Sequence, residues 1–293
     1  MSAGGQTGRA VILGGQTGLV GRPLTQTLAA AGYAVLPTTR SQLDPFDADA
    51  LARTLASFEA THLFNTVAYT AVDAAEDDRD EACRVNGALP GRLARACRDA
   101  GALLVHLSTD FVFDGTKQEP YVEDDAVNPQ SVYGASKLAG ERAILDSGLT
   151  AFQILRTAWL YGPGKKNFVS TMLGLAKTRE EVRVVADQIG SPTYTVDLAG
   201  WITDLAGTGA RGVFHAVGSG QASWCELAAE AVAASGLPCR VTPIASTEYP
   251  QKATRPPYSV LDNRKLAAAI GRAPRTWGVT VREYVYEQTQ LST

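Results

Sequence analysis

The stretch from Arg9 to Gly32 restricts the possible folds of this chain more than any other. A short apolar run, Arg9 to Leu13, ends in Gly14-Gly15-Gln16-Thr17-Gly18-Leu19-Val20-Gly21. Apolar residues at Leu24, Leu28 and Ala31 then keep helical spacing until Gly32 stops the pattern. Strand, glycine-rich turn and helix in that order open a βαβ unit. Gly15, Gly18 and Gly21 form a G-x-x-G-x-x-G array. Its uses are a tight turn, close approach of backbone to a pyrophosphate and close helix-to-strand packing, with anionic phosphate at the helix N-terminus. A purely structural turn would also use glycine, but the strand-to-helix context favours dinucleotide binding.

The pattern continues in alternation. Tyr33 to Pro37 reads as a second strand running into Thr38-Thr39-Arg40. An NAD site usually places Asp or Glu at this strand's end to accept ribose hydroxyls, whereas an arginine can meet a 2′-phosphate. Here Arg40 takes that place and the first carboxylate is Asp44, which leans towards NADPH. A solvated surface Arg40, with NADH as cofactor, is the other reading. Asp44 to Phe58 reads as a short amphipathic helix, and His62 to Ala68 as a third strand whose end, Ala68-Tyr69-Thr70, should lie beside the cofactor. Asp73 to Ala100 is mostly helical and Gly101 stops it. Ala102 to Leu107 is near-continuously apolar, as a strand buried on both faces should be. The expected fold is α/β, a doubly wound, Rossmann-type parallel sheet.

The fourth strand ends in Ser108-Thr109-Asp110, and further along Asn128-Pro129 can open a helix, with Asn as cap and Pro at the first position. Val132, Ala135, Leu138, Ala139 and Ala143 keep helical spacing, so Tyr133 and Lys137 share a face. A phenol with a reference pKa of about 10 is a poor acid or base at neutral pH, and a cation beside it stabilises the phenolate. Alone, such a pair is more often an ordinary solvated face. Hydroxyls at the end of the fourth strand add a hydrogen-bond donor to the set. Gly115 to Asn128 is a loop that could close over it, and Ala151 to Leu155 is another strand, from which Arg156 to Gly162 runs towards a substrate.

Other classes are argued against by composition. The 293 residues, 45% hydrophobic and 19% charged, suit a globular protein with a substantial core. The 27 basic and 30 acidic residues, net charge -3, form no block of the kind that binds nucleic acid or a membrane surface. No apolar run approaches the roughly 18 residues of a membrane span, and Met1 to Gly8 lacks the features of a signal peptide, so a cytoplasmic protein is expected. Cys83, Cys97, Cys225 and Cys239 are widely spaced and read as reduced thiols without a metal site. His62, His106 and His215 sit in or beside apolar runs and read as packed histidines.

Several segments together resemble one family: Ala68 to Asp73, Ser108 to Gly115, Pro120 to Glu123, Val132 to Glu141, Arg156 to Tyr161, Val185 to Thr193 and Arg255-Pro256. With the glycine turn and Tyr-x-x-x-Lys, they are similar to the dTDP-4-dehydrorhamnose reductases, extended short-chain dehydrogenase/reductases, over nearly the whole chain. The resemblance implies Thr109, Tyr133 and Lys137 as the catalytic set. It implies Gln16, Thr17, Gly18, Leu19, Val20, Val67, Ala68 and Thr70 around the cofactor, with Asp44 near the adenosine, which adds to Gly15 and Gly21 of the array and Arg40 of the second strand as read above. Asp110, Trp159, Gln188 and Arg255 would face the sugar nucleotide. A cofactor domain of residues 1–163 and about 192–217 is implied, with a smaller α/β substrate domain of about 164–191 and 218–293. The implied reaction is NADPH-dependent reduction of the C4 keto group of a dTDP-4-keto-6-deoxyhexose, dTDP-4-dehydro-L-rhamnose to dTDP-L-rhamnose first among them. Some members bind magnesium at a dimer interface through a glutamate where this chain has Pro23, so a monomer or a homodimer without a metal bridge is expected. An epimerase of the same fold that keeps NAD bound, or a non-catalytic NADP-binding subunit, are the alternatives.

Overall fold

A computed structural model describes residues 8–290. Residues 1–7 of the stretch read for a leader, and 291–293 at the other end, lie outside the described residues. The elements run β1 (Gly8–Leu13), α1 (Gly21–Ala30), β2 (Tyr33–Thr38), α2 (Ala48–Ser57), β3 (His62–Asn65), α3 (Arg79–Ala82), α4 (Leu89–Ala100), β4 (Leu103–Thr109), α5 (Val132–Leu145) and β5 (Phe152–Thr157). There follow β6 (Leu160–Tyr161), α6 (Phe168–Ala176), β7 (Glu181–Val185), β8 (Ile189–Gly190), β9 (Thr193–Tyr194), α7 (Thr195–Ala206), β10 (Gly212–His215), β11 (Ala222–Ser223), α8 (Trp224–Ser235), β12 (Arg240–Ile244), α9 (Arg264–Ile270) and α10 (Trp277–Gln290).

Six strands form one parallel sheet in the order β10-β5-β4-β3-β1-β2. The chain leaves β1 for β2 on one side and returns to β3 on the other, so a crevice opens at the carboxyl ends of β1 and β3. Side chains alternate along each strand. In β1, Ile12 joins Leu24, Leu28, Phe64, Val105 and α7's Trp201 on one face, while Val11 and Leu13 join Leu51, Leu63, Leu93 and Leu104 on the other. Both faces are therefore covered by helices, which explains why β4 is apolar nearly throughout. Each fully buried Leu or Ile of this kind contributes about 1.5–3 kcal/mol. Leu266 of α9 also packs into the first of these clusters.

The remaining strands are short pairs: β7 runs parallel to β12, and β8 pairs antiparallel with β11. Around β7 and β12, α6 and α8 bury Ala176, Val182, Val184, Ala228 and Val232. The bridge Tyr121 to Leu261 ties this part of the chain to the loop after β4, and Ile189 to Tyr258 joins β8 to the segment before α9. No helix among the described residues is long and apolar enough to cross a membrane.

Two local expectations are corrected. The cap of α5 is Ser131, whose Oγ accepts from Gly134 N at 3.1 Å, and not Asn128. Asn128 instead donates its backbone N–H to Val112 O and its side chain to Asp114, while Glu76 takes the Val132 N–H, so the chain enters helical geometry three residues later. The helix stopped by Gly101, which has φ +66°, is broken by a wide π turn over Cys83–Ala88. Such a turn re-aims side chains at functional sites, and here it carries Asn86.

Candidate active site

Thr109 ends β4, and Tyr133 and Lys137 stand on α5, which packs so closely over the next turn of chain that a Cβ on Gly134 would lie 2.3 Å from Phe111 O. The Tyr133 ring meets Phe111 edge-on at 5.6 Å. Burial pushes its phenol up to about 12, and the neighbouring Thr109 side chain works against that rise. Tyr133 is therefore a phenol, not a phenolate, at neutral pH. Lys137 is only 2% exposed. Its Nζ donates to Leu107 O at 2.5 Å and lies 3.4 Å from His106 Nε2. Burial draws the ammonium down to about 8, against the pull of the Glu141 charge. Thr109 Oγ1 donates to Asp110 Oδ1 at 3.0 Å, and burial raises the Asp110 carboxyl to about 6.

Behind this group, Asn86 holds three partners. Its Oδ1 accepts from Tyr69 N at 2.9 Å, and its Nδ2 donates to Tyr69 O and Ser136 Oγ, each at 3.0 Å. The π turn thus fastens the chain after β3 to the helix of Tyr133.

A cavity of about 280 Å³ lies at the carboxyl ends of β1, β2 and β3, walled by Gly14, Thr17, Thr39, Arg40, Phe46, Val67, Ala68 and Tyr69 among others. Tyr69 also belongs to the apolar cluster that holds Tyr133. The N-terminus of α1 has no side-chain cap and no acidic residue in its first turn, so its positive dipole end suits a phosphate, although Arg22 N and Leu24 N are taken by Gly18 O and Val20 O. Gly14 has φ +79°, and a Cβ on Gly21 would come within 2.2 Å of Gly14 O. These contacts keep the turn tight enough to present backbone. Among the expected cofactor residues, Thr17, Arg40, Val67 and Ala68 are walls of the cavity. Gln16 is exposed and donates to Pro37 O and Gln42 Oε1. Val20 is buried in the core and can offer only backbone, Gly15 packs on Pro37, and Gly18 and Leu19 are half-buried in the turn. Asp44 and Thr70 are exposed; Asp44 Oδ1 accepts from Phe46 N.

A second cavity, about 510 Å³, is walled by Phe168, Met172, Arg179, Arg183, Gln188, Trp224, Tyr249 and Arg255 among others. Arg255 is gripped by Asp73, with both guanidinium contacts at 2.9 Å, and this pair holds the Asp73 carboxyl down to about 2. Trp159, at φ +48°, stacks face to face on Trp224 at 3.5 Å, so Trp224 presents the wall and Trp159 backs it. Sequence reasoning missed Trp224. Its only signal is its place at the start of α8, right after Ser223 of a Ser-x-x-Glu capping box. Asn65, Asn86, His106, Glu141 and Arg156 were missed as neighbours of the site because each acts through a partner distant in sequence. His106 is packed with a satisfied ring, as read, its Nδ1 beside Asn65 Nδ2 and its Nε2 beside Lys137 Nζ.

Across residues 9–290 the chain matches the family described as RmlD substrate binding domain. It is similar to a dTDP-4-dehydrorhamnose reductase of Streptomyces griseus, 42% identical over 275 residues that cover 92% of this chain and 90% of that one. A dTDP-4-keto-6-deoxy-D-glucose reductase of Streptomyces niveus is 42% identical over 248 residues, 84% of this chain and 86% of that one. Among solved structures, a dTDP-4-dehydrorhamnose reductase of Bacillus anthracis in complex with NADP aligns with a TM-score of 0.91 at 35% identity, covering 96% of this chain and 99% of that one.

Proposed function

The chain belongs to the RmlD substrate binding domain family, and from that membership we propose that it is an NAD(P)H-dependent reductase of the short-chain dehydrogenase/reductase type, acting on the C4 keto group of a dTDP-4-keto-6-deoxyhexose. The observation that supports this reading best is Thr109 at the carboxyl end of β4 with Tyr133 beside it and Lys137 one turn further along α5, one strand away from the cavity at the ends of β1, β2 and β3. NADPH is the cofactor proposed: Arg40 in the wall suits a 2′-phosphate and the uncapped end of α1 suits the pyrophosphate.

Held between Thr17, Arg40, Val67 and Ala68, NADPH would supply the hydride for the C4 carbonyl carbon. Tyr133 gives its proton to the carbonyl oxygen as charge grows there, a contribution of about 10²–10⁴ in rate. Its raised phenol, up to about 12, keeps the acid form ready at neutral pH. Thr109 turns its hydroxyl from Asp110 to the same oxygen. Lys137 offers a cation beside the developing phenolate and further N–H groups for the nicotinamide ribose. The larger cavity holds the sugar nucleotide, with Trp224, backed by Trp159, as a flat apolar wall and with Gln188 and Arg255 as polar anchors.

Of the sugars in this class, dTDP-4-dehydro-L-rhamnose, giving dTDP-L-rhamnose, is the substrate proposed. The test uses NADPH deuterated at the transferred position. Deuterium at C4 of dTDP-L-rhamnose is the expected result. Recovery of sugar epimerised without net NADPH loss would replace the reading with an epimerase.

A further inference from the structure

Asn65 on β3 and His106 on β4 are directly paired in register, and each is 1% exposed. Asn65 Oδ1 accepts from Val67 N at 3.1 Å, its Nδ2 lies 3.0 Å from His106 Nδ1, and His106 Nε2 lies 3.4 Å from Lys137 Nζ. A backbone N–H can only donate, so the Val67 amide fixes Oδ1 on its side and turns Nδ2 towards the ring. An amide Nδ2 also only donates, so Nδ1 of His106 must accept. A neutral imidazole then carries its proton on Nε2, aimed at the lysine nitrogen.

We propose that His106 is a positioning residue for Lys137: held as the Nε2–H tautomer by Asn65, it sets a donor against the lysine nitrogen and favours the amine over the ammonium. The Leu107 carbonyl accepts one lysine N–H, more strongly from the ammonium than from the amine, and so acts against this preference. The ionisable groups around Lys137 are His106 from β4, with Asp110 beyond its end, Tyr133 and Glu141 from α5, and Arg156 from β5, paired with Glu141. From the π turn, Asn86 reaches the helix with its uncharged amide, which donates to Ser136 Oγ. Burial keeps His106 itself neutral, and Lys137 adds to that effect. The device loosens the proton of Lys137 while leaving it, at neutral pH, the cation that faces the developing phenolate. The inference rests on the catalytic reading of Lys137, but its test does not depend on turnover.

Nitrogen-15 NMR of the full chain with labelled histidine reads the tautomer without any substitution. A protonated Nε2 and bare Nδ1 at His106 are expected; a protonated Nδ1 would overturn the proposal. Carbon-13 titration of the lysine ε-methylenes then follows Lys137. In His106→Phe its midpoint should rise by about one pH unit, a tenfold gain in proton affinity, and an unchanged or lowered midpoint would overturn the proposal. Should that variant fail to fold, the tautomer in the unaltered protein decides. The expected tautomer and shift in a protein that never consumes NADPH would uphold the pairing and remove the reductase reading instead.

Discussion

The carboxylate of Glu141 accepts from Arg156 Nε at 3.0 Å and from Arg156 Nη2 at 2.8 Å, with side chains 2% and 6% exposed. Ser108 Oγ donates to the same carboxylate at 2.5 Å. Glu141 lies one turn beyond Lys137 on α5, Ser108 precedes Thr109 on β4, and Arg156 stands on β5. The trio therefore pins the helix of Tyr133 to the two strands beside it and sets its position against Thr109. Removing one half of a buried pair leaves the other charge uncompensated, at a cost of about 3–5 kcal/mol. Glu141→Ala should lose about 3 kcal/mol in urea unfolding. A loss below about 1 kcal/mol, the range of an exposed pair, would contradict this account of the helix.

The glycine turn, the strands and the Tyr133–Lys137 helix were legible in the sequence because each rests on a local pattern: periodicity, a breaker, or spacing on one face. The cap of α5 was misassigned because Asn128 and Ser131 are both good caps. Contacts from Val112 and Glu76, remote in sequence, decide between them. The same holds for the site. Asn65 reaches His106, and Glu141 reaches Arg156, through strand order, which no single-segment pattern encodes. Trp159 was singled out by its motif, yet the wall of the larger cavity is Trp224, brought there by the packing of α8.

Arg40 lines the smaller cavity with Thr38 and Thr39 beside it. A hydrogen bond to a charged group is worth about 1.5–3 kcal/mol, so Arg40→Ala should weaken NADPH binding by roughly ten- to a hundredfold and NADH binding far less. Isothermal titration with both cofactors checks this. Equal losses would take Arg40 out of the 2′-phosphate site.

Burial raises the Asp110 carboxyl from 3.8 to about 6. The folded protein thus holds that proton more tightly than the unfolded chain does. Its contribution is present in full below about pH 4 and is lost as pH rises through about 6. Asp110→Asn has no proton to lose. The stability of the variant relative to the natural chain should therefore increase between pH 4 and pH 7, by about 2–3 kcal/mol at 1.36 kcal/mol per pKa unit. Chemical unfolding at the two pH values measures it, and a difference that does not change with pH would refute the buried, raised carboxyl.

The central claim is that Tyr133 donates the proton that completes reduction of a 4-keto sugar. Loss of NADPH absorbance, with purified protein and dTDP-4-dehydro-L-rhamnose, should proceed mole for mole with product in the natural chain. In Tyr133→Phe it should fall by about 10²–10⁴-fold while NADPH still binds. Turnover of the variant at the natural rate would contradict the account.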